Sequence, residues 1–175
     1  RAQLALASSD VTRGQLFLDF ARTRLAEAGA VRETAGFSGV LDDMDSDTRE
    51  GAKLLHSAAV ARRDATPLDA VDTFVSGQRQ QITKMLDRLP TASRDRAVTS
   101  LAVLDQVSQR SKGLRAMLDC GDAATVGADV LGPKPGTCWS APGQSRPGAA
   151  TGPDSSQRGG AKPAPERTEG ADTKP

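Results

Sequence analysis

The chain predicts an all-α fold, a bundle of about four main helices closed by a C-terminal disulfide loop and followed by a disordered tail. Three observations point there. Apolar residues recur at helical spacing in successive segments. Short Gly-, Pro- and Ser/Thr-bearing breaks separate those segments, which suits an up-and-down bundle. Strand signals are nearly absent, and no period of 20 to 50 residues suggests a solenoid. At 175 residues the chain has room for one core and an appendage.

Each helix has its own signals. Leu4, Leu6, Phe17, Phe20, Ala21, Leu25 and Ala28 recur at helical intervals around Ser8-Ser9-Asp10, which offers a cap; a helix remnant at Arg1–Leu6 and then a long helix to about Ala28 are expected. Asp19 with Arg22 or Thr23 stands at the spacing that lets surface side chains meet, and the charged residues around it read as a solvated face. Beyond Gly36-Phe37-Ser38-Gly39, a stripe of Leu41, Met44, Thr48, Ala52, Leu55 and Ala59 runs to about Arg63. The capping side chains of Asp45-Ser46-Asp47-Thr48 leave two readings open: a turn over 39–44 and a helix from 46, or one continuous helix. Thr66-Pro67-Leu68-Asp69 opens the third helix with Thr at the N-cap and Pro at N1. It points Val71, Phe74, Val75, Ile82, Met85, Leu86 and Leu89 inward, and Pro90 closes it. Thr91 or Ser93 caps the fourth, which buries Val98, Leu101, Leu104, Val107 or Ser108, Leu114 and Leu118 and ends near Asp119.

Beyond Leu131 there is no Leu, Ile, Val, Phe or Met. Such a segment cannot bury enough apolar surface to offset its ordering entropy, so residues 1–138 are expected to form the helical domain and 139–175 the Pro/Gly/Ser-rich tail. The only two cysteines, Cys120 and Cys138, straddle Gly132-Pro133-Lys134-Pro135-Gly136, which reads as a turn. They are expected to form a structural disulfide at the end of the last helix, with Trp139 covering it. Closing that loop contributes roughly 3 kcal/mol on the chain-entropy estimate. Such bridges persist in oxidising compartments, so an exported protein is expected.

The sequence ranks functional classes chiefly by what it lacks. A net charge of +1 with mixed signs, and no row of stacking aromatics, disfavours nucleic acid as a partner. No run approaches twenty apolar residues. The opening Arg1-Ala2-Gln3-Leu4-Ala5-Leu6, without Met, is expected to follow an exporting or membrane-anchoring segment that lies upstream. Asp43-Met44-Asp45-Ser46-Asp47 has the alternating carboxylates of a calcium loop, but Thr48 replaces the turn glycine and Leu54 the closing glutamate, so capping is the expected role. His56, the only histidine, lacks the companions of a zinc site or a triad and is expected to be structural or at the surface. No phosphate loop or nucleophile elbow is present. No catalytic residue, metal or cofactor is therefore expected, and the chain reads as a non-enzyme.

The opening Arg1-Ala2-Gln3-Leu4-Ala5-Leu6-Ala7-Ser8-Ser9-Asp10-Val11-Thr12-Arg13-Gly14-Gln15-Leu16, with Asp43-Met44-Asp45-Ser46-Asp47-Thr48-Arg49-Glu50-Gly51-Ala52, resembles a family of actinobacterial extracytoplasmic helical domains of unknown function. The resemblance covers about residues 1–138. Such domains look like the outer part of single-pass membrane proteins, some of them similar to anti-sigma factors. The resemblance implies a sensor or protein-interaction domain of a membrane-anchored regulator, tethered outside the cell membrane and meeting a protein partner in the cell envelope. Two further readings stand beside it. One is a small-molecule or lipid binder with an apolar cavity near Phe17, Phe20, Phe74, Ile82 and Met85. The other is a structural spacer in the envelope.

Overall fold

In a computed structural model, residues 9–32, 35–121 and 124–138 are described. They form four helices, α1 (Asp10–Ala30), α2 (Gly36–Arg62), α3 (Thr66–Leu86) and α4 (Thr91–Cys120), and a hairpin of β1 (Thr125–Asp129) and β2 (Gly132–Pro135). The chain divides into one unit ending at Ser140 and a second, Ala141–Pro175, which lies outside the described residues together with the expected tail. The Arg1–Leu6 helix remnant and Trp139 lie outside them as well.

Helix starts and stops follow local chemistry. Ser9 caps α1, its hydroxyl accepting from the Thr12 N–H at 3.2 Å. Arg63 ends α2 in the left-handed region at φ 50°. Asp64, rather than Thr66, supplies the side chain at the start of α3: its carboxylate accepts from both the N–H and the hydroxyl of Thr66, which holds it below the usual carboxylate range. At α4 the N-cap position belongs to Pro90, so neither Thr91 nor Ser93 caps; the Ser93 hydroxyl donates instead to the Arg32 carbonyl.

The connections are short and the cross-helix contacts fix the directions. Along α1 and α2, Gly14 meets Leu55 and Gly51 while Arg24 faces Asp43, so the two run antiparallel. Between α3 and α4, Arg79 pairs with Asp105, and Arg115 reaches back to Asp69 and Asp72, again antiparallel. Helices α2 and α4 are parallel, joined by Asp45–Ser100 and His56–Ser111. The start of α1, the end of α2 and the end of α4 therefore share one end of the bundle, and the disulfide brings Cys138 to that same end.

One apolar cluster draws on every helix and on the hairpin, with Leu25, Leu41, Met44, Leu55, Phe74, Ile82, Leu104 and Leu131 among its members. A second, smaller cluster of Ala59, Leu68, Leu114 and Met117 fills the disulfide end. The predicted stripe of α2 is buried throughout. Of the two readings left open for α2, the continuous helix is the one formed: Asp45 lies within it, and its carboxylate finds partners on α4. One expectation fails here. Val98 is half exposed, because the inward face of α4 runs through Ala97, Ser100, Leu104, Val107, Ser111 and Leu114, with two serines where a hydrophobic scan finds nothing to count.

Candidate functional site

The segment between the cysteines carries the unpredicted structure. Cys120 and Cys138 form the expected disulfide, but the residues they enclose pair as an antiparallel hairpin with a bulge between Thr125 and Ala128. Gly132-Pro133-Lys134-Pro135, read from sequence as part of a turn, is strand β2; the turn is Val130-Leu131. Proline is tolerated there because a two-stranded ribbon demands few ladder donors. All of β1 is exposed, including Val126, while Leu131 is buried in the main core. Gly132 follows it at φ 88°, a conformation that disfavours a side chain, and its α-carbon lies so close to α2 that a Cβ would stand 3.0 Å from the Lys53 carbonyl oxygen.

Leu131 brings its carbonyl to the one histidine. His56 Nδ1 donates to the Leu131 oxygen at 2.8 Å, since a carbonyl can only accept; the neutral ring then presents Nε2 as an acceptor for the Ser111 hydroxyl, 3.0 Å away. His56 and Ser111 are both fully buried. Burial lowers the His56 pKa below its ordinary value; the Leu131 carbonyl opposes this, and the Arg110 guanidinium reinforces it. The histidine is thus structural, one of the two placements expected. A serine hydroxyl on an oriented imidazole is also the beginning of a nucleophilic pair, yet in this conformation neither atom faces solvent.

Arg110, one residue before Ser111 on α4, anchors the other side of the hairpin. Its Nη1 donates to the carbonyls of Gly132 and Pro133 at 2.9 and 3.1 Å, and both Nη atoms donate to the Asp129 carboxylate at 3.0 and 2.6 Å. With the Leu131 N–H as a further donor, this holds the Asp129 pKa down to about 2. Pro135 lies against Gly113, where a Cβ would come within 2.7 Å of its ring.

A second polar cluster sits nearer the other end of α2. Asp45, nearly fully buried, accepts from Arg96 at 2.9 Å and from the buried Ser100 hydroxyl at 3.1 Å, while Arg96 also reaches Asp42 at 2.8 Å and Ser100 at 2.9 Å. The acidic run is therefore neither a cap nor a calcium loop. Residues two apart on a helix diverge by about 200°, so Asp43, Asp45 and Asp47 cannot converge. Among the described residues no group of three or more His, Cys, Asp or Glu could hold a metal.

The residues of the expected apolar cavity are divided between core and surface. Phe74 and Ile82 are buried in the core and Met85 packs at its margin. Phe17 and Phe20 are half-buried and meet edge to face at 6.3 Å, and Arg22 lies over the Phe74 ring at 5.3 Å. The surface clefts are lined mainly by polar side chains: about 440 Å³ between α3 and α4, flanked by Asp72, Arg79, Asp105 and Lys112, and about 410 Å³ between α1 and α3, beside Gln15, Asp19 and Arg22. No described helix is long and apolar enough to cross a membrane. No protein-family model, curated protein or solved structure matches the chain.

Proposed function

We propose that this chain is a non-enzymatic, extracytoplasmic sensor or protein-interaction domain of a membrane-anchored regulator, the anti-sigma-factor-like proteins being its specific form. The Cys120–Cys138 bridge carries the reading. It closes the hairpin onto α4, and such structural bridges persist outside reducing compartments. Topology lends support. The start of α1 and Cys138 lie at one end of the bundle, so a tether at that end leaves the end of α1 and the start of α4 facing away from the membrane, free to meet a protein partner in the envelope. The burial of the His56–Ser111 pair favours a structural over a chemical role for it.

Two measurements test this. Intact mass of protein taken directly from the cell envelope, with and without alkylation, is expected to show no free thiol; two alkylated cysteines remove the export argument. In-cell crosslinking from positions in the 31–35 and 87–90 connections is expected to return a reproducible protein partner. Repeated absence of a partner, with regulation intact after deletion of this domain, overturns the interaction reading.

A further inference from the structure

The hairpin has the construction of a strap. Its two ends meet at one point, because the chain leaves α4 at Cys120 and returns to it through Cys138. Between those ends the strap lies across α2 and α4, held by the seat of Leu131, the His56–Leu131 hydrogen bond and the Arg110 clamp on Asp129, Gly132 and Pro133. A loop closed this way can lift from the bundle with its own β-pairing intact, and because it stays tethered its return is intramolecular. None of the four helices has to unfold for the strap to move.

We infer that the Thr125–Pro135 hairpin is an acid-released strap: a neutral His56 latches it, and protonation of that imidazole lifts it, uncovering the apolar seat of Leu131 and the His56–Ser111 pair beneath.

The seat accepts a neutral ring well and a charged one badly. Nδ1 already carries the proton given to Leu131, so an added proton must go to Nε2, whose hydrogen-bond partner is the Ser111 hydroxyl and not a carboxylate. The charged groups around the ring come from each neighbouring element. Arg110 on α4 repels an imidazolium, whereas Asp72 on α3 and Asp129 on the strap attract it. Asp129 is already committed to Arg110 and Lys134. The ring is fully buried, so a charge on it is hydrated only after a covering element moves, and the strap is the covering element that can move without unfolding a helix. The sign follows. Because the docked ring binds its proton more weakly than a free one, docking is complete above the free-imidazole value of about 6.5 and weakens as pH falls below it. The Arg110–Asp129 clamp stays ionised across that window, since the Asp129 carboxyl is held far below it. This inference goes beyond the proposed function and stands independently of the compartment.

Because His56 is the only histidine, its ring signal in a proton NMR spectrum of the full, oxidised chain is unambiguous. A titration from pH 7.5 to 5 is expected to move the His56 ring signal and the Leu131 methyl signals with one midpoint, below about 6.5. The docking constant should fall by at most tenfold per pH unit, the limit for uptake of a single proton. In H56Q the Leu131 methyls are expected to stay constant over that range. In D129N, with the clamp weakened, the Leu131 transition is expected at higher pH. The inference is overturned if Leu131 remains seated while His56 titrates, if neither signal moves down to pH 5, or if H56Q opens with the wild-type profile. Should H56Q fail to fold, the coincidence of midpoints in the wild type and their shift in D129N decide the matter.

Discussion

Two glycine-to-alanine substitutions in helix interiors should change stability in opposite directions. Removing a glycine from a helix interior ordinarily stabilises by about 0.5–1 kcal/mol, because the unfolded chain loses freedom and the helix gains propensity. At Gly77 in α3 an added Cβ would have no heavy-atom neighbour within 4 Å, so G77A should show that full gain. At Gly51 in α2 the same atom would stand 2.9 Å from the Gly14 carbonyl oxygen and 2.6 Å from Leu18 Cδ2. The leucine tip can rotate, but the backbone oxygen moves only if α1 and α2 separate. Overpacking against a backbone oxygen belongs to the upper part of the usual cost of about 1–3 kcal/mol, which set against the propensity gain leaves a net loss of up to about 2 kcal/mol. Urea melts at constant m-value read both effects, with the G77A midpoint above the wild type and the G51A midpoint below it. If G51A stabilises as much as G77A, α1 and α2 do not approach at Gly14 and Gly51, and the packing argument for that face is wrong.

Other perturbations separate the remaining contributions. Arg96→Met leaves the Asp45 carboxylate buried beside Ser100 alone and should cost about 3–5 kcal/mol, whereas Asp45→Leu combined with Arg96→Met should recover most of it; denaturant melts of both variants check the difference. Replacing Cys120 and Cys138 by serine should lower stability by about 3 kcal/mol, given their separation of 18 residues, and a calorimetric Tm unchanged by the replacement would contradict this. The contribution of Asp129 to strap docking is complete above its unfolded value of about 3.8 and is lost as pH falls through about 2. Carboxyl-carbon NMR should therefore show Asp129 titrating near 2, and a normal value there means that Arg110 does not clamp it.

What the sequence disclosed depended on whether a residue's role was local and apolar. The α2 stripe from Leu41 to Ala59, the Ser9 cap and the Cys120–Cys138 pairing were legible, because periodicity, capping chemistry and cysteine arithmetic act within one segment. The sequence left Asp45 open between breaking and continuing the helix because its stabilising partners, Arg96 and Ser100, lie on a helix more than fifty residues away. For the same reason Ser100 and Ser111 escaped the core prediction; Gln78 escaped it as well, and all three occupy buried helical positions that polarity alone assigns to solvent. The hairpin escaped because Gly and Pro dominate β2 and β1 offers no apolar alternation, so its strands form through their placement on α4 and α2 rather than through propensity. One signal was available: Leu131, the last Leu, Ile, Val, Phe or Met of the chain, stands directly before Gly132, the pattern of an anchor entering a core at a tight turn.

Those polar core residues answer a question that apolar packing leaves open, namely what fixes the register of the parallel pair α2 and α4. Leucine, valine and alanine faces tolerate a slide of one turn with modest repacking. Here Asp45–Ser100 and His56–Ser111 stand eleven residues apart on both helices, about three turns, and lie in two separate layers of the bundle. A one-turn slide breaks both pairs together and strands a buried carboxylate and a buried imidazole, each at about 1–3 kcal/mol or more, whereas the apolar surface buried would change little. The second of these pairs is also the one the strap rests on. The His56 ring that sets the alignment of α2 and α4 is therefore the same ring through which proton uptake reaches the hairpin, so a variant such as Ser111→Ala, which removes the Nε2 partner but keeps the Leu131 contact, should loosen the helix register while leaving the strap latched at neutral pH. Hydrogen exchange along α4 compared with the Leu131 amide measures the two separately, and equal loss of protection at both would mean that register and strap are one cooperative unit.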